Sequence, residues 1–138
     1  MRKLLWGAFA ALLGCAPTKT TVVGSDDVPQ DQWSRGVYLY GQHCAGCHGD
    51  AGAGDEDTPP LVGEGALPVE PRAGSERSLP FRHAGDLFAF VKASMPPLDP
   101  AGVSDRDTWA ILAMILKDNG VDVPDPLGPD NAARVPLR

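Results

Sequence analysis

The chain has 138 residues and a formal net charge of −6 at pH 7, with 12 Lys or Arg against 18 Asp or Glu. This length is typical of a single domain. The acidic balance argues against a nucleic-acid partner, because such binding needs clustered Lys and Arg. The 16 glycines and 14 prolines predict long loops and limited regular structure.

Residues 1–14 are predicted to be a secretory signal peptide. Arg2 and Lys3 form a short basic region, and the apolar run 4–13 follows it. That run is too short to span about 30 Å of hydrocarbon, so we do not expect a transmembrane helix there. A basic region before a short apolar run is instead typical of an export signal.

The segment Leu-Leu-Gly-Cys at 12–15 resembles the lipobox of bacterial lipoproteins. The resemblance implies that Cys15 becomes the lipidated first residue of the mature chain, with residues 15–30 as a tether on the periplasmic side of a bacterial membrane. Several acyl chains anchor a protein stably, at about 0.8 kcal/mol per buried CH₂. The alternative is an ordinary signal peptide with an incidental cysteine beside its cleavage site.

Residues 32–43 predict the first helix. Trp33, Val37 and Tyr40 recur at helical spacing and define one apolar face. Asp31 is suited to cap the N terminus of this helix, because its side chain can accept a hydrogen bond from a free backbone N–H.

The pentapeptide Cys-Ala-Gly-Cys-His at 44–48 is the C-x-x-C-H signature of covalent c-type haem attachment. Two intervening residues place both sulfurs within reach of two vinyl groups on one porphyrin edge, and the next residue then points its imidazole at the iron. The sequence therefore predicts one haem c, joined by thioethers to Cys44 and Cys47, with His48 as an axial iron ligand.

Two other interpretations of this motif are weaker. A thioredoxin-like dithiol needs a βαβ context, and no segment here alternates like a strand. A zinc site could recruit His43 or His83, but the usual second ligand pair is absent from the sequence.

The chain resembles the small monohaem class I cytochromes c over about residues 32–120. Glycines follow the attachment motif, as in the family, at Gly49, Gly52 and Gly54. Residues 58–63 are similar to the family's G-P-x-L-x-G segment, with Thr58 in place of the first glycine. The resemblance implies an all-α cytochrome c fold, with three principal helices and long loops around one covalently bound haem.

The resemblance also implies two local roles. The Pro59 carbonyl would accept a hydrogen bond from Nδ1 of His48, which fixes the ring and increases its basicity as a ligand. Gly36 costs about 1 kcal/mol inside a helix, and the family packs its first and last helices around a small residue, so we expect a close helix crossing there.

Residues 64–82 carry no strong family motif. Arg72 and Arg82 could reach a haem propionate, although solvated arginines are the simpler interpretation. The next apolar stretch, 86–94, predicts a helix that Pro96 ends.

Met95 is the predicted second axial ligand. It lies between that helix and a Pro-stiffened loop, and Met/His pairing is the cytochrome c pattern that raises the reduction potential. His83 is an alternative that would give bis-His ligation, and an open iron is another. His43 lies too close to the attachment motif to reach the opposite haem face.

Residues 104–118 predict the clearest helix, with Ser104 and Asp107 as a capping pair and Gly120 as its stop. Its core side chains are predicted to be Trp109, Leu112, Met114 and Leu116. Residues 121–138 contain four prolines and no apolar period, so we expect a loose tail or a disordered end.

These features predict a membrane-tethered electron carrier rather than an enzyme. With iron held between His48 and Met95, small molecules are denied the metal, and single electrons pass to redox partner proteins of a respiratory chain or a dehydrogenase. An open-site haem enzyme or gas sensor is one alternative. An electron-accepting module dedicated to one dehydrogenase or oxidase is the other.

Overall fold

The computed structural model describes residues 28–75 and 77–137. The predicted signal peptide, Cys15 and most of the predicted tether lie outside them. The described part contains four α-helices and two short 3₁₀ helices: α1 Gln32–His43, α2 Ala45–His48, α3 Ala84–Ser94, Pro100–Gly102, α4 Asp105–Asp118 and Ala132–Arg134. The predicted all-α cytochrome c fold with three principal helices is confirmed, and α2 is the single turn formed by the attachment motif.

Helices α1 and α4 cross closely at Gly36. A Cβ added to this glycine would overlap the carbonyl oxygen of Ala110, and it would lie 2.8 Å from the Ala110 carbonyl carbon and 3.0 Å from Cβ of Met114. Only a residue without a side chain allows the two backbones to approach this far. The close crossing implied by the resemblance is therefore present in the structure.

The face that α1 turns toward the core differs from the predicted one. Gly36, Leu39 and Tyr40 are buried, whereas Trp33 and Val37 are each 44% exposed. Of the predicted apolar face, only Tyr40 is therefore buried, because the close approach at Gly36 turns the glycine side of the helix toward α4.

Helix α4 is the centre of the core. Ser104 caps it as predicted, since its Oγ accepts a hydrogen bond from the Asp107 N–H at 3.2 Å. The side chains from Thr108 to Leu116 are all buried, including the predicted core residue Met114. Phe88 of α3 stacks on Trp109 with ring centroids 4.0 Å apart. None of the described helices has the length and apolar character needed to cross a membrane.

The C-terminal segment 121–137 is packed, so the expectation of a loose or disordered tail is wrong for these residues. Leu127, Val135 and Leu137 are at most 7% exposed. Gln32 exchanges two hydrogen bonds with the Leu127 backbone, at 2.8 and 2.7 Å. These apolar residues are irregularly spaced between prolines, so no period in the sequence indicates their burial.

The same segment explains why α3 begins two residues earlier than predicted. The Ala84 N–H donates to the Val135 carbonyl at 2.9 Å, and the Leu137 N–H donates to the Arg82 carbonyl at 2.9 Å. Ala84 is completely buried beneath these contacts. Partners more than fifty residues away therefore fix the start of this helix.

Arg77 organises the loop between α2 and α3, where the sequence carries no motif. Its guanidinium lies 3.8 Å from the centroid of the Phe81 ring. It also donates to four backbone carbonyls, those of Pro68, Val69, Glu70 and Leu79, at 2.6 to 3.0 Å. Arg72 and Arg82 are exposed, in agreement with their interpretation as solvated arginines.

Candidate functional site

The two motif cysteines lie on one turn of the chain at the junction of α1 and α2. The Cys44 N–H donates to the Tyr40 carbonyl at 2.8 Å and so ends α1, and Cys47 follows one helical turn later. Neither sulfur is part of a disulfide. Cys44 is half-buried, and before haem attachment this burial, helped by the neighbouring Cys47, raises the pKa of the Cys44 thiol to about 11. Two reduced sulfurs on one helical face suit a double attachment to one ligand edge.

His48 is buried at the end of α2, with 9% of its surface exposed. Its Nδ1 lies 3.0 Å from the Pro59 carbonyl oxygen. A carbonyl can only accept, so Nδ1 carries the proton and Nε2 is left with a free lone pair. This is the contact that the family resemblance implies, and it prepares Nε2 to bind a metal.

The loop 49–62 folds back on itself and places Pro59 beside His48. The Gly52 carbonyl accepts from the N–H groups of Leu61 and Val62, at 2.7 and 3.0 Å, and the Gly54 N–H donates to the His48 carbonyl at 2.9 Å. Gly54 has φ +66°, and a Cβ there would lie 2.7 Å from the Pro59 carbonyl carbon. Glycine is required at this position because the loop closes so tightly.

Two residues that the sequence analysis did not single out hold this loop. Asp55 Oδ1 accepts from the Asp57 and Thr58 N–H groups at 2.9 and 2.7 Å, and these bonds hold the pKa of the Asp55 carboxyl below its usual value. Asn119, just after α4, bonds to the backbone of residues 61 and 63. The turn chemistry of Asp-x-Asp-Thr could have indicated Asp55. No local signal indicates Asn119.

Met95 and His83 lie at opposite ends of α3. Met95 is its half-buried C-terminal cap, with its N–H bonded to the Val91 carbonyl at 2.8 Å, and His83 is the N-terminal cap. An 11-residue helix is about 16 Å long, so both side chains cannot reach one iron. Met95 lies at the helix–loop boundary where the sequence placed it, and its role as a ligand stays a prediction. His43 is exposed.

The donor atoms of the site fit a haem, since two cysteine sulfurs can attach it and a histidine nitrogen can bind its iron. Several hydrophobic side chains pack against the core yet stay only partly buried, namely Tyr38, Leu61, Phe88, Phe90, Val91, Val121 and Val123. A large apolar ring would add to the small core that this polypeptide can build by itself. Within residues 28–75 and 77–137, no three His, Cys, Asp or Glu side chains form a metal-binding group.

A helical fold, a cysteine pair on one helical turn and a histidine with its Nδ1 engaged define a c-type cytochrome domain. Residues 31–115 match the family described as cytochrome c oxidase, cbb3-type, subunit III, and the chain belongs to this family. Its cofactor is covalently bound haem c, and its chemistry is electron transfer on the haem iron.

Two proteins named for sulfur chemistry are similar to the chain. The thiosulfate dehydrogenase of Stutzerimonas stutzeri (strain A1501) is 33% identical over 109 residues, which are 71% of this chain and 33% of that protein. The chain therefore spans about a third of that relative's length. The crystal structure of the sulfane dehydrogenase SoxCD from Paracoccus pantotrophus matches with a TM-score of 0.58 and 28% identity, over 98% of this chain and 68% of that chain.

These similarities correct one prediction. The expectation of an electron carrier that is not an enzyme is wrong in its second half, because both similar proteins are named as dehydrogenases. The motif at 44–48 identifies the group that carries the electron. It does not distinguish a free carrier from the haem domain of an enzyme, since both attach haem in the same way.

Proposed function

We propose that the chain carries single electrons on one haem c within a dehydrogenase that oxidises a reduced sulfur compound. The observation that carries the proposal is the 3.0 Å contact between His48 Nδ1 and the Pro59 carbonyl, one turn from two cysteines that form no disulfide. This arrangement prepares an iron ligand at one end of an otherwise packed helical domain. The sulfur chemistry is supported by the names of the two similar dehydrogenases.

Each residue of the site has a distinct task in this proposal. Cys44 and Cys47 hold the haem covalently, so the carrier cannot lose its cofactor between electron transfers. His48 offers Nε2 to the iron, and the Pro59 carbonyl keeps the ring in one orientation. When bound, the haem supplies a metal that cycles between Fe(III) and Fe(II) and so takes up one electron at a time from the sulfur substrate's oxidation.

A deletion strain of the native host tests the substrate class. Thiosulfate-dependent and sulfane-dependent reduction of ferricyanide by cell fractions should be lost in the deletion strain. Wild-type chain should restore the activity, and a Cys44→Ala/Cys47→Ala chain, which cannot attach haem, should not. Unchanged oxidation of both sulfur compounds in the deletion strain would show that the proposed substrate class is wrong.

Met95 is proposed as the second axial ligand. A Met95→Ala chain should have a lower reduction potential than wild type, should lose the near-red charge-transfer band of the ferric protein, and should bind carbon monoxide when reduced. Met114→Leu is the matched control, because Met114 is 5% exposed in the core and a Met-to-Leu exchange there conserves volume. If Met95→Ala and Met114→Leu have the same spectrum and potential, Met95 is not the ligand.

We also propose that the chain is exported and held on the periplasmic side of a membrane by a lipid on Cys15. The support is the basic, apolar and Leu-Leu-Gly-Cys order of its first residues. Cys15→Ser should move the holo-protein from the membrane fraction to the soluble fraction while its haem content stays unchanged. An unaltered distribution would contradict the lipid anchor.

A further inference from the structure

The Pro59 carbonyl that faces His48 belongs to one of two adjacent peptide units that have no N–H group to hold them in place. Proline has no N–H, so the peptide units 58–59 and 59–60 have no hydrogen-bond donor. The Pro59 oxygen is nevertheless aimed at His48 Nδ1 from 3.0 Å. Its direction must therefore be set by residues on either side of the two prolines.

On the N-terminal side, Asp55 closes a tight turn against Thr58. Its Oδ1 accepts from the N–H groups of Asp57 and Thr58, at 2.9 and 2.7 Å. Its own backbone N–H donates to the Thr58 carbonyl at 2.9 Å. Both backbone polar groups of the residue before Pro59 are thus fixed by Asp55, which leaves the Thr58–Pro59 unit little freedom to rotate.

On the C-terminal side, Asn119 holds the chain just after Pro60. Its Nδ2 donates to the carbonyls of Leu61 and Ile115, both at 2.8 Å. Its Oδ1 accepts from the Gly63 N–H at 3.1 Å. Because Ile115 belongs to α4, this side chain ties the loop to the most buried of the described helices.

We propose that Asp55 and Asn119 are positioning residues for the axial ligand, which set the strength of the His48–Pro59 hydrogen bond and through it the reduction potential of the haem. A strong bond from Nδ1 increases the electron donation of Nε2 and favours ferric iron. Loosening either side of the loop weakens the bond and raises the potential. The inference rests on the proposed role of His48 as an iron ligand and is independent of the substrate.

The holo-protein with substitutions at Asp55 tests the first side. Asp55→Asn keeps the acceptor oxygen and removes the charge, Asp55→Ala removes both, and Glu56→Ala removes a neighbouring exposed charge. The expected result is that only Asp55→Ala exchanges the His48 Nδ1 proton faster, by about tenfold, because both bonds of the carboxylate are lost and the His48–Pro59 bond weakens. Its potential should lie above those of the two charge-matched variants. Equal values in Asp55→Ala and Asp55→Asn would overturn the role of the carboxylate as an acceptor.

Asn119 is tested against Asn131, which makes two similar side-chain bonds, to Gly128 and Pro126 at 2.9 Å, away from the loop. Asn119→Ala should speed Nδ1 exchange and raise the potential, whereas Asn131→Ala should affect stability alone. Parallel effects of the two variants on exchange and potential would overturn a positioning role for Asn119. Absence of a haem-shifted His48 resonance in wild type would show that His48 is not the iron ligand, and would overturn this proposal together with that assignment.

Discussion

Replacing Gly36 by Ala tests the helix crossing that positions the attachment motif. The added methyl group would lie 2.8 Å from the Ala110 carbonyl carbon and 3.0 Å from Met114 Cβ. Neither atom can rotate away, because one belongs to the backbone and the other is fixed to it. Reaching a contact distance of about 3.5 Å from that carbon requires α1 and α4 to move apart by at least about 0.7 Å, and clearing the Ala110 carbonyl oxygen, which the methyl group would overlap, requires more.

The magnitude follows from two opposing terms. Overpacking of this kind costs up to about 3 kcal/mol, and exchanging Gly for Ala inside a helix gains up to about 1 kcal/mol. We expect a net loss of about 2 kcal/mol in the free energy of unfolding, which corresponds to a fall of about 8 °C in Tm for a domain of this size.

Gly41 provides the matched control on the same helix. A Cβ there would meet nothing within 4 Å, so Gly41→Ala should gain about 0.5–1 kcal/mol from helix propensity alone. Guanidinium unfolding of both holo-proteins, followed by circular dichroism, measures the difference of about 3 kcal/mol between them. If Gly36→Ala were as stable as Gly41→Ala, the two helices would not cross at Gly36 as described.

Three further substitutions have defined outcomes. Burial raises the pKa of Tyr40 above its usual 10.0. The unfolded phenol therefore ionises first, and wild-type stability should fall as the pH rises above that value. Tyr40→Phe should remove this dependence of the urea-unfolding free energy on alkaline pH, and an unchanged dependence would contradict the role of Tyr40. Arg77→Lys should cost about 2 kcal/mol, because Lys keeps the charge but cannot bond four carbonyls, and an unchanged denaturation midpoint would contradict that reasoning. Gln32→Ala removes the two hydrogen bonds to Leu127 and should speed amide exchange in residues 121–137. Unchanged exchange would show that these two bonds contribute little to the stability of the segment.

Local signals account for the elements that the sequence predicted well. Helices α1 and α4 begin within one residue of the expected positions, and both start at a side-chain cap, Asp31 and Ser104. A cap directly precedes its helix and binds an N–H three residues further on, so the pattern can be read in one short window. The start of α3 was missed because its first residue is held by Val135, which no short window contains.

Side-chain burial was harder to predict than secondary structure. Trp33 and Val37 follow a regular helical period, yet their face is half exposed. The deciding residue is Gly36, whose missing side chain lets α4 approach. A search for periodic apolar side chains gives no signal at a glycine. The segment 121–137 was misjudged for a related reason, because its buried leucines and valine are spaced by prolines and hydrogen bonds instead of by a helical or strand repeat.

The functional site likewise has a local part that the sequence reveals and a part that depends on distant residues. The cysteines and His48 occupy one turn of consecutive residues, so their cooperation is visible in the sequence alone. The orientation of the His48 ring depends on Pro59, 11 residues away, and the direction of that carbonyl is set in turn by Asn119, 58 residues from its partner Leu61. Chains with the same attachment motif and the same proline pair can therefore differ in reduction potential, because the ligand's hydrogen bond is controlled by residues that neither motif contains.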